Sequence, residues 1–182
     1  MTPSFETMMI ECLPHMRAYS RSLTKDPDAA DDLVQDAIVR AIGAQGSFQE
    51  GTNLKAWLFT ILRNKFLDDR RRKRGYFEQI ETAVHERLVS PPTQHAAVEF
   101  ADVATAFWSL SAAHREVLML IGVNGLNYEE AADVLGCPIG TVRSRLSRAR
   151  SELQKKLQAA DDGDFAVEFR RLARQLPMLL AA

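Results

Sequence analysis

Apolar positions recur every three or four residues along most of the chain, and no stretch alternates apolar and polar residues for long enough to make a useful strand. The pattern predicts an all-α protein. "PSFETMMIECLPHMRAYSRSLT" reads as two short helices, with Pro14 in the first turn of the second, where its missing N–H costs nothing. "DPDAADDLVQDAIVRAIGA" opens on acids, which suit the positive end of a helix dipole, and runs to Gly43. The glycines and polar residues of "QGSFQEGTN" make a loop. In "NLKAWLFTILRNKFLDDRRRKR" the residues Leu54, Trp57, Leu58, Ile61 and Leu62 form one stripe, and the helix is expected to end at Gly75. Paired prolines in "VSPPTQH" mark a linker, and four more helices are expected at 97–109, 111–123, 127–135 and 139–158.

The last two of these helices have a specific grammar. Asn127 and Glu130 stand at the spacing of a capping box, Gly136 suits the end of that helix, and Pro138 opens the next after a three-residue turn. A helix-turn-helix is expected. At about 100° per residue, Ile139, Val142, Leu146, Ala149, Leu153 and Leu157 fall on one docking stripe. The opposite face carries Ser144, Ser147, Arg148 and Ser151, with Arg143 and Arg145 nearer the flanks. Small serines let a helix backbone approach a groove, and guanidinium forks match guanine edges and phosphates. This face is expected to meet duplex DNA.

Composition adds a second clue. The formal net charge of the 182 residues is only −1, yet the charges are segregated. Five aspartates and no base lie between Asp26 and Asp36; seven bases against Asp68 and Asp69 lie between Arg63 and Arg74. Residues 76–102 turn acidic again, and residues 139–156 hold six bases against Glu152. Such blocks suit one basic and one acidic partner. No apolar run approaches the ~18 residues of a membrane span, and the first twenty residues place acids and a proline where a signal peptide needs bases and an apolar core. A cytoplasmic protein is expected. Cys12 and Cys137 lack any CxxC or CxxH partner, so idle or buried thiols are expected, with no metal or cofactor.

"DAADDLVQDAIVRAI", "FQEGTNLKAWLFTILRNKFLDDRRRKR" and the helix-turn-helix, in that order over residues 8 to about 158, resemble the sigma factors of bacterial RNA polymerase. The compact arrangement resembles the extracytoplasmic-function (ECF) type, and "FQEGTNLKAWLFTILRN" resembles its alphaproteobacterial general-stress subgroup, whose members are held by a small anti-sigma protein. The resemblance implies two small helical domains. Residues 1–75 would form a sigma-2-like unit that binds core polymerase and opens the −10 element; 76–96 would be a linker; 97–158 would form a sigma-4-like unit on the −35 duplex. The implied partners are core RNA polymerase (its β′ coiled coil and β flap), promoter DNA and an anti-sigma protein. Asp32, Gln35 and Asp36 match polar contact positions for the β′ coiled coil, with Leu33 beside them as an apolar anchor. Asn64 matches a position that helps hold an extruded −10 base, and Phe48 is a second candidate in the loop. Arg63 and Arg70 would follow the single strand; Phe59 and Phe66 share their face, either as stacking platforms or as core. Arg143, Ser144, Arg145, Ser147 and Arg148 would read the −35 duplex.

Other readings leave residues unused. A sigma-like decoy that sequesters an anti-sigma has no need of Arg143, Arg145 and Arg148, and a plain helix-turn-helix repressor leaves the acidic helix without a purpose. For an enzyme there is no phosphate loop, nucleophile elbow or metal cluster, and His15, His85, His95 and His114 are dispersed. The family pattern stops near residue 158. Beyond it, Phe165, Val167, Phe169, Leu172 and Leu176 are spaced for an amphipathic helix that could dock on the second domain, bind an anti-sigma, or fray.

Overall fold

The computed structural model describes residues 4–77 and 104–158, all helix and connecting turns. The 76–96 linker beyond residue 77 and the 159–182 extension lie outside the described residues. In the first half, α1 spans Phe5–Thr24, α2 Pro27–Gly43 and α3 Leu54–Phe77, with a short 3-10 turn at Gln45–Ser47. Local chemistry sets each start. Ser4 Oγ accepts from the Thr7 amide at 3.3 Å, and Asp26 Oδ1 from the Ala29 amide at 2.8 Å. Asn53 Oδ1 accepts from the Lys55 amide at 3.1 Å.

The expected break at Pro14 is absent: α1 is a single helix with Pro14 inside it. Proline removes one bond to the carbonyl four residues back. That carbonyl belongs to Ile10, and both Ile10 and Pro14 are exposed, so water can reach the unpaired oxygen. The first-half core is built from Met16, Tyr19, Val34, Ala37, Leu58, Phe59 and Leu62, all nearly or fully buried. Phe59 is core, with its ring 4.9 Å from that of Tyr19, whereas Trp57 sits at the edge.

The second half contains helical residues 104–108 (α4), α5 at Ala112–Val117, α6 at Tyr128–Leu135 and α7 at Ile139–Gln158. Where a single helix over 111–123 is expected, the chain leaves α5 through a π-helical segment, Leu118–Val123. The Asn124 amide reaches back five residues to the Met119 carbonyl at 3.0 Å. Asn124 Nδ2 donates to the same carbonyl at 2.7 Å, stabilising the wide turn. Leu118, Met119 and Leu120 are buried in succession, while Ile121 and Val123 are partly buried.

Each half has its own apolar stripe and its own helical unit, and the two cores meet in one continuous cluster. Polar contacts cross the seam. Tyr19 Oη donates to Glu116 Oε1 at 2.9 Å, and Arg63 Nε donates to the same oxygen at 2.6 Å. Arg115, 3% exposed, donates from Nη1 to the Leu110 carbonyl at 2.5 Å and from Nε to the Ser22 carbonyl at 3.4 Å. His15 Nδ1 meets Asn124 Oδ1 at 2.9 Å. Because the Asn124 amide nitrogen is engaged by Met119, its oxygen faces His15 and the imidazole donates from Nδ1.

The seam generates two expectations for stability. Glu116→Ala leaves Arg63 and Tyr19 facing a dry seam without an acceptor, and denaturant unfolding should show a loss of roughly 3–5 kcal/mol; an unchanged midpoint would mean the seam carries no weight. His15 is held below its ordinary pKa by burial and by the Lys55 charge, opposed by its bond to Asn124. The unfolded chain therefore takes up the proton first, and stability should fall as pH drops through about 6.5 and below. Thermal unfolding of the protein and of His15→Gln between pH 7 and 5 should show a shallower slope in the variant.

Candidate nucleic-acid interface

The helix-turn-helix forms as its residues dictate. Asn127 Oδ1 accepts from the Glu130 amide at 2.8 Å, and Glu130 Oε2 accepts from the Asn127 amide at 2.9 Å, completing the capping box. Gly136, at φ 60°, ends α6 in the left-handed region, and the Cys137 amide closes back on the Ala132 carbonyl at 3.2 Å. Val142, Leu146, Ala149 and Leu153 are buried, which turns the opposite face of α7 outward.

That outward face carries Arg143, Ser144, Ser147, Arg148, Arg150 and Ser151, all exposed. The one acid of this helix, Glu152, is drawn to His114 Nδ1 at 2.7 Å. The face is left positive by construction. Ser144 Oγ donates to the Thr141 carbonyl at 3.0 Å, which leaves its small oxygen close to the helix surface. Arg145 is half-buried and points back toward Cys137, at 3.9 Å, so it stands at the margin of the face.

In the first half, both acids of α3 are paired, while a run of bases at its far end stays exposed. Lys65 Nζ bridges Asp36 at 2.8 Å and Asp69 at 2.7 Å, and these bonds raise its pKa. Asp68 sits 3.7 Å from both Arg40 and Arg71. Arg70, Arg71, Arg72 and Lys73 stay exposed, with the Arg70 guanidinium 5.7 Å from the Phe66 ring centre. Asn64 is exposed one residue away from Arg63. Two site expectations change. Phe48 is no free stacking face: its ring packs on Phe5 at 6.0 Å and Trp57 at 5.5 Å, a loop anchor made of three aromatics. Arg63 is not free for a strand either, because its Nε is bound to Glu116 across the seam.

On α2, Asp32, Gln35 and Asp36 share an exposed face as expected. Leu33 does not join them. It is 5% exposed and belongs to the core, since it points with Val34 and Ala37 toward α1 and α3 rather than outward. The apolar members of the outer face are Val39 and Ile42, 70% and 54% exposed. Their signal lies in the sequence: Val39 stands three residues after Asp36, and Ile42 seven after Gln35, on the polar side of the helix. Among the described residues no group of His, Cys, Asp and Glu is arranged to hold a metal, and no helix is long and apolar enough to cross a membrane.

An acidic face on α2, exposed bases on α3 and a helix-turn-helix in one chain are the parts of a helical DNA-binding protein. Comparison with known proteins narrows the class. The Sigma-70 region 2 family matches residues 8–76, and the Sigma-70, region 4 family matches residues 91–153. The chain is 42% identical over 165 residues to the ECF RNA polymerase sigma factor EcfG of Rhodopseudomonas palustris, covering 91% of each protein. It is 37% identical over 129 residues to the ECF RNA polymerase sigma factor SigC of Mycobacterium tuberculosis, covering 70% of each. Among solved structures, the sigma factor RpoE in complex with the anti-sigma factor NepR from Bartonella quintana superimposes with a TM-score of 0.75 at 41% identity, covering 86% of this chain and 98% of that one. CnrH in complex with the cytosolic domain of CnrY gives 0.58 at 29% identity, covering 86% and 89%. The chain belongs to the extracytoplasmic-function sigma factors of bacterial RNA polymerase. Members of this family start transcription by directing the polymerase and catalyse nothing themselves.

Arg148, one of three exposed arginines on the outward face of α7, gives a direct test. Arg148→Ala should cost about 1–3 kcal/mol of duplex affinity and relax preference at one −35 position. Lys155→Ala should weaken all duplexes alike and lower the salt slope by about one. Competition binding across a duplex library distinguishes them; equal behaviour of the two variants would make Arg148 a phosphate contact.

Proposed function

We propose that this protein is a stress-response sigma factor that works in the cytoplasm, binds core RNA polymerase and selects its promoters, and is held in check by a small anti-sigma protein. The observation that carries the reading is the coexistence of the acidic α2 face with the arginine–serine face of α7. A duplex-binding repressor has no use for the first, and a decoy has no use for the second. The similarity to a sigma factor crystallised with NepR supports control by a protein of that kind.

In this reading Asp32, Gln35 and Asp36 meet the basic β′ coiled coil, joined by Val39 and Ile42 as the apolar part of the contact. Opposite charges steer and orient such an encounter, and the apolar pair adds burial once docked. Residues 1–75 hold the melted −10 strand through Asn64 and Arg70, since an amide can match a base edge and a cation a phosphate. Residues 97–158 grip the −35 duplex through Arg143, Ser144, Ser147 and Arg148. Arg63 joins the strand-binding set only once it is released from Glu116.

Run-off transcription with purified core enzyme on a genomic promoter pool tests the function as a whole. Asp32→Lys tests the docking face, and is cleaner than a change at Asp36, which also holds Lys65. Close charge pairs across an interface are worth ~1.5–7 kcal/mol, so core affinity should fall at least about tenfold while helicity and duplex binding stay intact. Unchanged core affinity would move the docking surface elsewhere.

A further inference from the structure

Beside the reading face of α7 lies a groove of ≈ 310 Å³, walled on one side by Tyr128 from α6 and lined by Arg143, Ser147 and Arg150 over Leu146. Tyr128 is 36% exposed, one of four large apolar or aromatic side chains left that open among the described residues. It occupies the first position of α6, directly after Asn127, so the capping box fixes the backbone that carries it. The Arg143 guanidinium lies 5.2 Å from the centre of its ring. That contact is a cation–π pair, and a guanidinium prefers such a surface because it is weakly hydrated and planar.

We propose that Tyr128 is a positioning residue for −35 recognition, holding Arg143 in the pose that reads a base edge. The inference rests on the sigma-factor reading of α7. Arginine has many rotamers, and a free one loses that freedom when it binds. Against the ring, much of the freedom is already gone. The ring meets the cation through its π face, and no hydrogen bond of Arg143 occurs among the described residues. The donors of the guanidinium fork therefore remain for a guanine edge. Arg143 is the fifth residue of α7, within the part of a recognition helix that meets bases. Arg148, one turn and a half further on, has no such brace among the described residues, and Arg145 is turned toward the sulfur of Cys137. Arg143 is thus the pre-set reader of the three.

The experiment uses the full-length protein bound to core polymerase and a library of fork templates randomised through the −35 duplex. Tyr128→Leu, which removes the ring, should blunt preference at the one position that Arg143→Ala also blunts, by about two- to fivefold, the scale of an exposed cation–π contact. Tyr128→Phe should retain the preference, because the ring and not the hydroxyl acts. The double variant Tyr128→Leu/Arg143→Ala should be no worse at that position than Arg143→Ala alone. Thermal unfolding of Tyr128→Leu checks that the cap and fold survive. A uniform loss across all sequences, a loss in Tyr128→Phe equal to that in Tyr128→Leu, or additive effects in the double variant would overturn the inference. A wild-type holoenzyme with no base preference anywhere in the −35 duplex would overturn the reading beneath it as well.

Discussion

The Glu116 carboxylate lies where the two halves of the chain meet, and one of its oxygens accepts from both Tyr19 and Arg63. Its side chain is 12% exposed and that of Arg63 17%, so water can solvate neither well. An ion pair in such a place offsets its own desolvation only when the geometry is good and the remaining donors are used. Here a phenol supplies the second donor, and burial together with the neighbouring carboxylate pushes the Tyr19 hydroxyl well above its ordinary pKa. The Tyr19 proton thus stays on its oxygen. This atom ties the aromatic core of the first half to α5 of the second.

Charge segregation along the chain has a structural resolution. Acids that lie close to bases, such as Asp68, Asp69 and Glu152, are used internally. What reaches the surface is an acidic patch on α2 and basic faces on α3 and α7. The net charge near zero therefore describes neither surface that a partner would meet.

What could be read from the sequence was whatever neighbours in the chain decide. The capping box of Asn127 and Glu130, the left-handed Gly136 and the buried stripe of α7 all arise from contacts within a few residues, and all are present. The features that were not legible depend on distant partners. Pro14 survives inside α1 because its side faces water; the π-helical turn depends on Asn124, which His15 from α1 also engages; Arg63 is claimed by Glu116, 53 positions away. Leu33 is a different case: the ~100° step between neighbours on α2 already sets it beside the buried Val34 and Ala37 rather than with Asp32. The site was thus legible in its residue types and in the α7 face, and less so in which side chains are free.

The Glu130 carboxylate serves two neighbourhoods at once. Its Oε2 closes the cap of α6, while Oε1 accepts from Asn53 Nδ2 at 2.9 Å, and Asn53 itself starts α3. The start of α3 and the start of α6, the first helix of the helix-turn-helix, therefore share a single side chain. In a genetic screen that sorts variants by promoter element, the proposed roles would put Arg148 in one phenotype class and Asn64 in the other. Glu130 belongs to both, and alleles there would map to neither element alone.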